Sequence, residues 1–219
     1  MKYHPDIELL LKYTSGQLEP SLAVAIGLHQ QNCSNCQQRI RDLEAVGGDT
    51  LEAIPSEINQ QDDAVISEFD QLFDQVEALP VDQPAGDYDE LAVAQSDIPL
   101  IDQLHHQRFD ELNWQRVGLK IWRATIAIND PSYEMELLKF SPNAKIPKHT
   151  HKGNEFTLVL QGDFSDHQDR YREGEFIAQN QSHEHQPVAG DAGCICLAIT
   201  DAPLKFTGTL GPVLNWFTR

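Results

Sequence analysis

The chain has 219 residues, enough for two compact units of about 100 residues each. Hydrophobic residues make up 40%, with no run of about 18 apolar residues able to span a bilayer. The net charge of −18 is concentrated: residues 42–97 hold sixteen Asp or Glu and no Lys or Arg, which argues against direct nucleic-acid binding and for a basic protein partner or a solvated acidic linker.

The opening MKYHPDIELLLKY carries Asp6 and Glu8 around a short apolar run, unlike a secretory signal with its basic start and longer apolar stretch. Four cysteines fall in two close pairs, Cys33 with Cys36 and Cys194 with Cys196. Without a secretory signal such pairs point to metal or redox chemistry rather than a disulfide framework. The expectation is a cytoplasmic protein with no membrane anchor.

Pro5 suits a first helical turn, and the leucine-rich stretch after it predicts helix 1 over about 5–15, ending at Ser15-Gly16. Glu19-Pro20-Ser21 starts helix 2, which runs to about residue 31, with Leu22, Ala25, Ile26 and His29 at helical spacing. A third helix over about 34–46 is expected to stop at Gly47-Gly48. In the next segment Val65, Ile66, Phe69, Leu72, Phe73 and Val76 recur with the helical period, predicting an amphipathic helix over 63–79 with an acidic outer face. Residues 81–100 are rich in turn formers and acids and read as a linker.

From about residue 101 the pattern changes to short β segments: WQRVGLKIWRATI, YEMELLKF, FTLVLQG, GEFIAQ, GCICLAIT and VLNWF. Asn129-Asp130-Pro131, Ser141-Pro142-Asn143 and Gly162-Asp163 mark turns between some of them, and an antiparallel jelly-roll barrel is expected.

Two metal clusters stand out. His29 and Cys33 are four apart, on one face if helix 2 continues, and Cys36 follows two residues later. Imidazole with thiolate suits zinc, and a structural zinc site takes a fourth protein ligand. His4 is the candidate; alternatively it only decorates helix 1, and water or another chain fills the position. In the β region His149 and His151 lie two apart, on the same side of a strand, and Glu155 follows after the turn Lys152-Gly153-Asn154.

The pattern H-x3-C-x2-C after a short leading helix resembles the zinc-containing anti-sigma domain of bacteria. That resemblance implies a helical clamp on an extracytoplasmic-function sigma factor. Under it, the helix at 63–79 becomes a recognition element, with Val65, Phe69, Leu72, Phe73 and Val76 as partner-binding residues; the same stripe also fits the core of its own domain.

His149-x-His151-x3-Glu155, with Gly162 beyond, resembles the first motif of the cupin family, with Asn143 where that motif usually opens on glycine. The second cupin motif places its metal-binding histidine eleven positions after a glycine. Counted from Gly174, this position is His185, with His183 as the other candidate. Three histidines and a glutamate suit zinc, manganese, iron or nickel. Cys194 and Cys196 share one face of a strand, as a redox pair or a packing row.

A zinc anti-sigma domain joined to a cupin is the architecture of the ChrR family of anti-sigma factors, and the chain is similar to that family over nearly its whole length. The resemblance implies a multidomain protein, α then β: a zinc-binding helical domain at 1–80, an acidic linker at 81–100 and a cupin jelly-roll β-barrel at 101–219. It implies a regulator without turnover, which binds a sigma factor and releases it under oxidative stress such as singlet oxygen or organic peroxides. The competing expectation is a cupin metalloenzyme, a dioxygenase or isomerase acting on a small molecule. A third is an oligomerisation barrel.

Overall fold

A computed structural model describes residues 1–54 and 112–207, and the single positions 75, 104 and 109. The chain divides into two compact units, Met1–Ala45 with Asp97–Arg219, and Val46–Ser96. The helix expected at 63–79, with Val65, Phe69, Leu72, Phe73 and Val76, lies outside the described residues apart from position 75. So do the linker at 81–100 and the final VLNWF segment.

Helix α1 spans Ile7–Thr14, starting two residues later than expected from Pro5. Asp6 takes the N-cap instead: its backbone is extended and its carboxylate accepts the Leu9 amide at 2.9 Å. Gly16, at φ +68°, turns the chain after the helix. Helix α2 spans Pro20–Asn32 with Pro20 in its first turn, as expected. Helix α3 spans Ser34–Ala53 and runs through Gly47 and Gly48, where a stop was expected. A helical glycine costs only about 1 kcal/mol relative to alanine, and neither residue adopts the left-handed φ of a C-terminal stop. Among the described residues no helix is long and apolar enough to cross a membrane.

Among the described residues ten strands follow: β1 Gln115–Arg116, β2 Ile121–Ile126, β3 Glu134–Phe140, β4 His149–His151, β5 Glu155–Ser165, β6 Arg170–Arg172, β7 Phe176–Gln179, β8 Glu184–His185, β9 Val188–Thr200 and β10 Leu204–Phe206. The larger sheet has the order β1-β2-β3-β9-β5-β6, with β7 also paired to β5; the smaller is β10-β4-β8. Every named pairing is antiparallel. Among the described residues the strands form two sheets rather than the closed barrel expected, an arrangement that still fits the cupin fold.

The central strands β5 and β9 of the larger sheet carry buried side chains on both faces, and the period of two decides which side chain goes where. Met135 and Leu137 of β3, Leu158 and Leu160 of β5, and Ile195, Leu197 and Ile199 of β9 join one core cluster with Leu10, Leu22, Ile26 and Ile40 of the helices. Phe140, Val159, Cys194 and Cys196 point the other way, into a second cluster inside the sandwich with Phe164 and Tyr171. This is why GCICLAIT reads as an unbroken apolar run rather than an alternation. Each large aliphatic side chain so buried contributes about 1.5–3 kcal/mol relative to exposure. The first helices are thus part of the same packed unit as the β region.

The start of α2 is fixed from a distance. Glu19, at its N-cap, makes no side-chain cap. Asp130, in the β2–β3 loop, accepts the Ser21 amide at 3.0 Å instead. Burial acts to raise the Asp130 pKa, but its contacts with Ser21 and the Ser132 and Tyr133 amides outweigh that and hold the carboxyl below its usual range.

Candidate metal centres

Helix α2 stops at Asn32 and Cys33 adopts an extended backbone, so His29 comes from the last turn of α2, Cys33 from the junction and Cys36 from the first turn of α3. His4 arrives from the arm before α1. These four are brought together with one ligand atom each, all within 4.8 Å of one another. Nδ1 of His4 lies 3.4 Å from Nε2 of His29, 3.3 Å from Sγ of Cys33 and 3.6 Å from Sγ of Cys36, and Nε2 of His29 is 3.2 Å from Sγ of Cys36. Zinc bonds of about 2.0–2.1 Å to nitrogen and about 2.3 Å to sulfur, at tetrahedral angles, set ligand atoms about 3.3–3.8 Å apart. The observed spacings fit a single ion.

The outer nitrogens of the two rings are also accounted for. Nε2 of His4 donates to the Met1 carbonyl at 3.2 Å, leaving Nδ1 for the cluster. Nδ1 of His29 donates to the Gly174 carbonyl at 2.7 Å, leaving Nε2. Both tautomers therefore turn a lone pair inward, as metal-ligating histidines require. Burial lowers the His29 pKa, which favours the neutral ring. Burial, with Cys33 beside it, pushes the Cys36 thiol up to about 12, so a thiolate there calls for a cation at its side.

The second cluster is set by strand register. His149 and His185 are directly opposed in the β4–β8 ladder, and His151 is two residues on, on the same face of β4. All three are buried, with ligand atoms within 4.8 Å of one another. Nε2 of His185 lies 3.0 Å from Nε2 of His149 and 3.3 Å from Nε2 of His151. Ligand angles of about 90–110° around a metal held by nitrogen bonds of about 2.0–2.1 Å produce separations of about 2.9–3.4 Å, so the three nitrogens fit one ion. Nδ1 of His149 donates to the Pro147 carbonyl at 2.9 Å, and burial pushes this imidazole down to about 4. His183 is not brought in. It sits on the turn before β8, where its Nδ1 accepts the Asn180 amide at 3.1 Å.

Glu155 does not belong to that three-histidine set. It opens β5 in the other sheet, and its Oε2 lies 2.9 Å from Nδ1 of His151, on the outer side of that ring. Burial acts to raise its pKa, but His151, then His149 and His185, outweigh this and hold it ionised below its usual range. The spacing H-x3-E places the carboxylate beside one of the histidines, His151. It does not fix which ring edge the carboxylate meets.

Two residues that the sequence did not flag hold His185. Oδ2 of Asp166, a fully buried carboxylate, accepts from Nδ1 of His185 at 3.1 Å, and the side-chain amide of Gln179 lies 3.0 Å from the same nitrogen. No local pattern in DFSDHQDRY marks Asp166, because its partner is 19 residues away. A cavity of about 50 Å3 adjoins His149 and His185 between the sheets, with a mainly apolar lining that includes Leu138, Phe140, Phe164 and Leu204. Cys194 and Cys196 are free, buried thiols 3.2 Å apart. The hydrogen bond from Cys194, then burial, raises the Cys196 pKa well above its usual value. Asn143 adopts φ +55°, the left-handed backbone that a motif glycine would supply.

The anti-sigma-E factor ChrR of Cereibacter sphaeroides is 32% identical to this chain over 220 residues, covering 100% of the chain and 99% of that protein. The chain belongs to the ChrR family of anti-sigma factors. Residues 102–203 match the family model described as the ChrR Cupin-like domain. A solved structure, Rhodobacter sphaeroides SigE in complex with the anti-sigma ChrR, is similar with a TM-score of 0.70 and 27% identity, covering 91% of this chain and 99% of that one. The ChrR likeness thus takes in both clusters, the helical one and the β one.

Proposed function

We propose that the chain is an anti-sigma factor that sequesters an extracytoplasmic-function sigma factor through a zinc-binding helical domain at 1–80. It releases the factor under oxidative stress, by singlet oxygen or organic peroxide, through the metal-binding cupin at 101–219, with residues 81–100 as an acidic linker. The observation that carries this reading is the likeness over nearly the full chain to a ChrR solved in complex with SigE. The sixteen acids of residues 42–97 support a basic partner surface. His4, His29, Cys33 and Cys36 would hold zinc, and His149, His151 and His185, with Glu155 beside them, would hold zinc, manganese, iron or nickel. Val65, Phe69, Leu72, Phe73 and Val76 are the proposed partner contacts. The protein works in the cytoplasm, by binding and without turnover.

The test is co-expression with the sigma factor of the same host. The two should copurify, and transcription from that factor's promoter should fall; neither copurification nor repression would refute the reading. Metal analysis of the β region addresses the enzyme alternative: redox-active iron or manganese there, with oxygen consumption on a substrate, would favour the enzyme.

A further inference from the structure

The donor to the Gly174 carbonyl is a ligand of the helical cluster, while Gly174 itself belongs to the β region, in the turn between β6 and β7. That turn is built to stay where it is. Gly174 takes φ +83° and donates its amide to the Val159 carbonyl at 2.8 Å, which ties the turn to β5. On the other side the arm bearing His4 lies along it. The buried carboxylate of Glu175 accepts the Lys2 amide through Oε1 at 2.6 Å and the Arg172 amide through Oε2 at 2.8 Å. The Phe176 amide donates to the Tyr3 carbonyl at 3.2 Å. Tyr3 Oη donates to Oδ2 of Asp169 at 2.6 Å, and Lys2 Nζ pairs with the same carboxylate. The Phe176 ring stands edge-on to that of His29, with centroids 6.4 Å apart. Two of the four helical-cluster ligands, His4 and His29, are therefore set by one turn of the β region.

We infer that the β6–β7 turn is a working part of the N-terminal metal centre: the Gly174 carbonyl positions His29, Glu175 anchors the arm that carries His4, and together they set how tightly the cluster holds its ion. A hydrogen-bond acceptor on the outer nitrogen of a ligating histidine fixes its tautomer and raises its basicity, and losing such a partner commonly costs 10–100-fold in metal affinity. The turn leads through β7 into Gln179, which touches Nδ1 of His185 in the other cluster. One short stretch, residues 174–179, thus meets both metal centres. The inference rests on the metal reading of the N-terminal cluster and not on the sigma-factor reading, so the two fail in different assays.

The experiment uses the full chain loaded with cobalt(II), whose thiolate charge-transfer bands report only the cluster containing Cys33 and Cys36. Glu175→Ala, which frees the turn and the arm, should weaken cobalt binding at the thiolate cluster by about 10–100-fold, and Glu175→Gln, which keeps one of the two acceptor oxygens, should fall between Glu175→Ala and wild type. Metal content at the histidine cluster should be unchanged in both. In zinc-loaded wild-type protein the Nδ1 proton of His29 should appear in nitrogen-15 spectra as a slowly exchanging signal with scalar coupling to the Gly174 carbonyl carbon; in Glu175→Ala it should exchange faster. Unchanged thiolate-band affinity in Glu175→Ala overturns the inference. So does equal loss of metal from both clusters, which would mean general unfolding, or a wild-type His29 proton without protection.

Discussion

The Ser21 amide and the Asp130 carboxylate meet at 3.0 Å across 109 residues of sequence, so a loop of the β region completes the N-terminus of a helix. Asp130→Ala removes the acceptor for three amides, those of Ser21, Ser132 and Tyr133. By analogy with lost helix caps it should cost about 0.5–2 kcal/mol, read as a lower urea midpoint. The folded pKa of Asp130 is depressed, so its contribution is present above the unfolded value of about 3.9 and is lost as pH falls through the folded value. The gap between wild type and variant should therefore be constant from neutral pH to about pH 4 and close in stronger acid. A gap that widens on acidification contradicts the assignment.

Asp166→Asn should weaken metal binding at His149, His151 and His185 by about 10–100-fold, because the buried carboxylate accepting from Nδ1 of His185 orients that ring and increases its basicity. Chelator competition on the full chain measures this. The thiolate cluster of the same preparation is the internal control.

Removal of the N-terminal ion should loosen the helical part, because the cluster joins the arm before α1 to the α2–α3 junction. With zinc at about 1,000 times its dissociation constant, the ion contributes about 4 kcal/mol of stability. Thermal melting followed by helical circular dichroism should drop on chelation. Cys36→Ser in zinc should melt close to the chelated wild type and respond little to chelator at that transition.

Gly162→Ala should destabilise by about 1–3 kcal/mol, since the residue sits at φ +73° and an added Cβ would point into the carbonyl oxygen of Gly193. Denaturant unfolding is the check. An alanine variant as stable as wild type would show that the β5 bulge next to Gly162 relaxes freely.

Much of this architecture was legible because its signals are local. Pro20 marked the start of α2, and the two-residue spacing of His149 and His151 put both on one face of β4. Asn143 was readable because few residue types accept its backbone angle. The eleven-residue spacing from Gly174 selected His185 over His183, and the ladder places His185 opposite His149. What escaped was set by contacts between distant segments. Asp166 and Gln179 reach His185 only after the sheets form, and Asp130 caps a helix it does not adjoin in sequence. Glu155 was within reach by spacing, but the strand on which it lies decides which ring edge it meets. The end of α3 was misplaced because paired glycines weaken a helix without stopping it unless the backbone turns left-handed there.

The bond from His29 to Gly174 spans 145 residues, and it imposes an order on synthesis. A ribosome adds about 5–20 residues per second, so His29 is made about 7–30 s before the carbonyl that holds it. Through that interval the nascent helices carry their two thiols and two imidazoles without the β6–β7 turn against them. The cluster reaches its final form only when the second half of the polypeptide has emerged and folded back on the first.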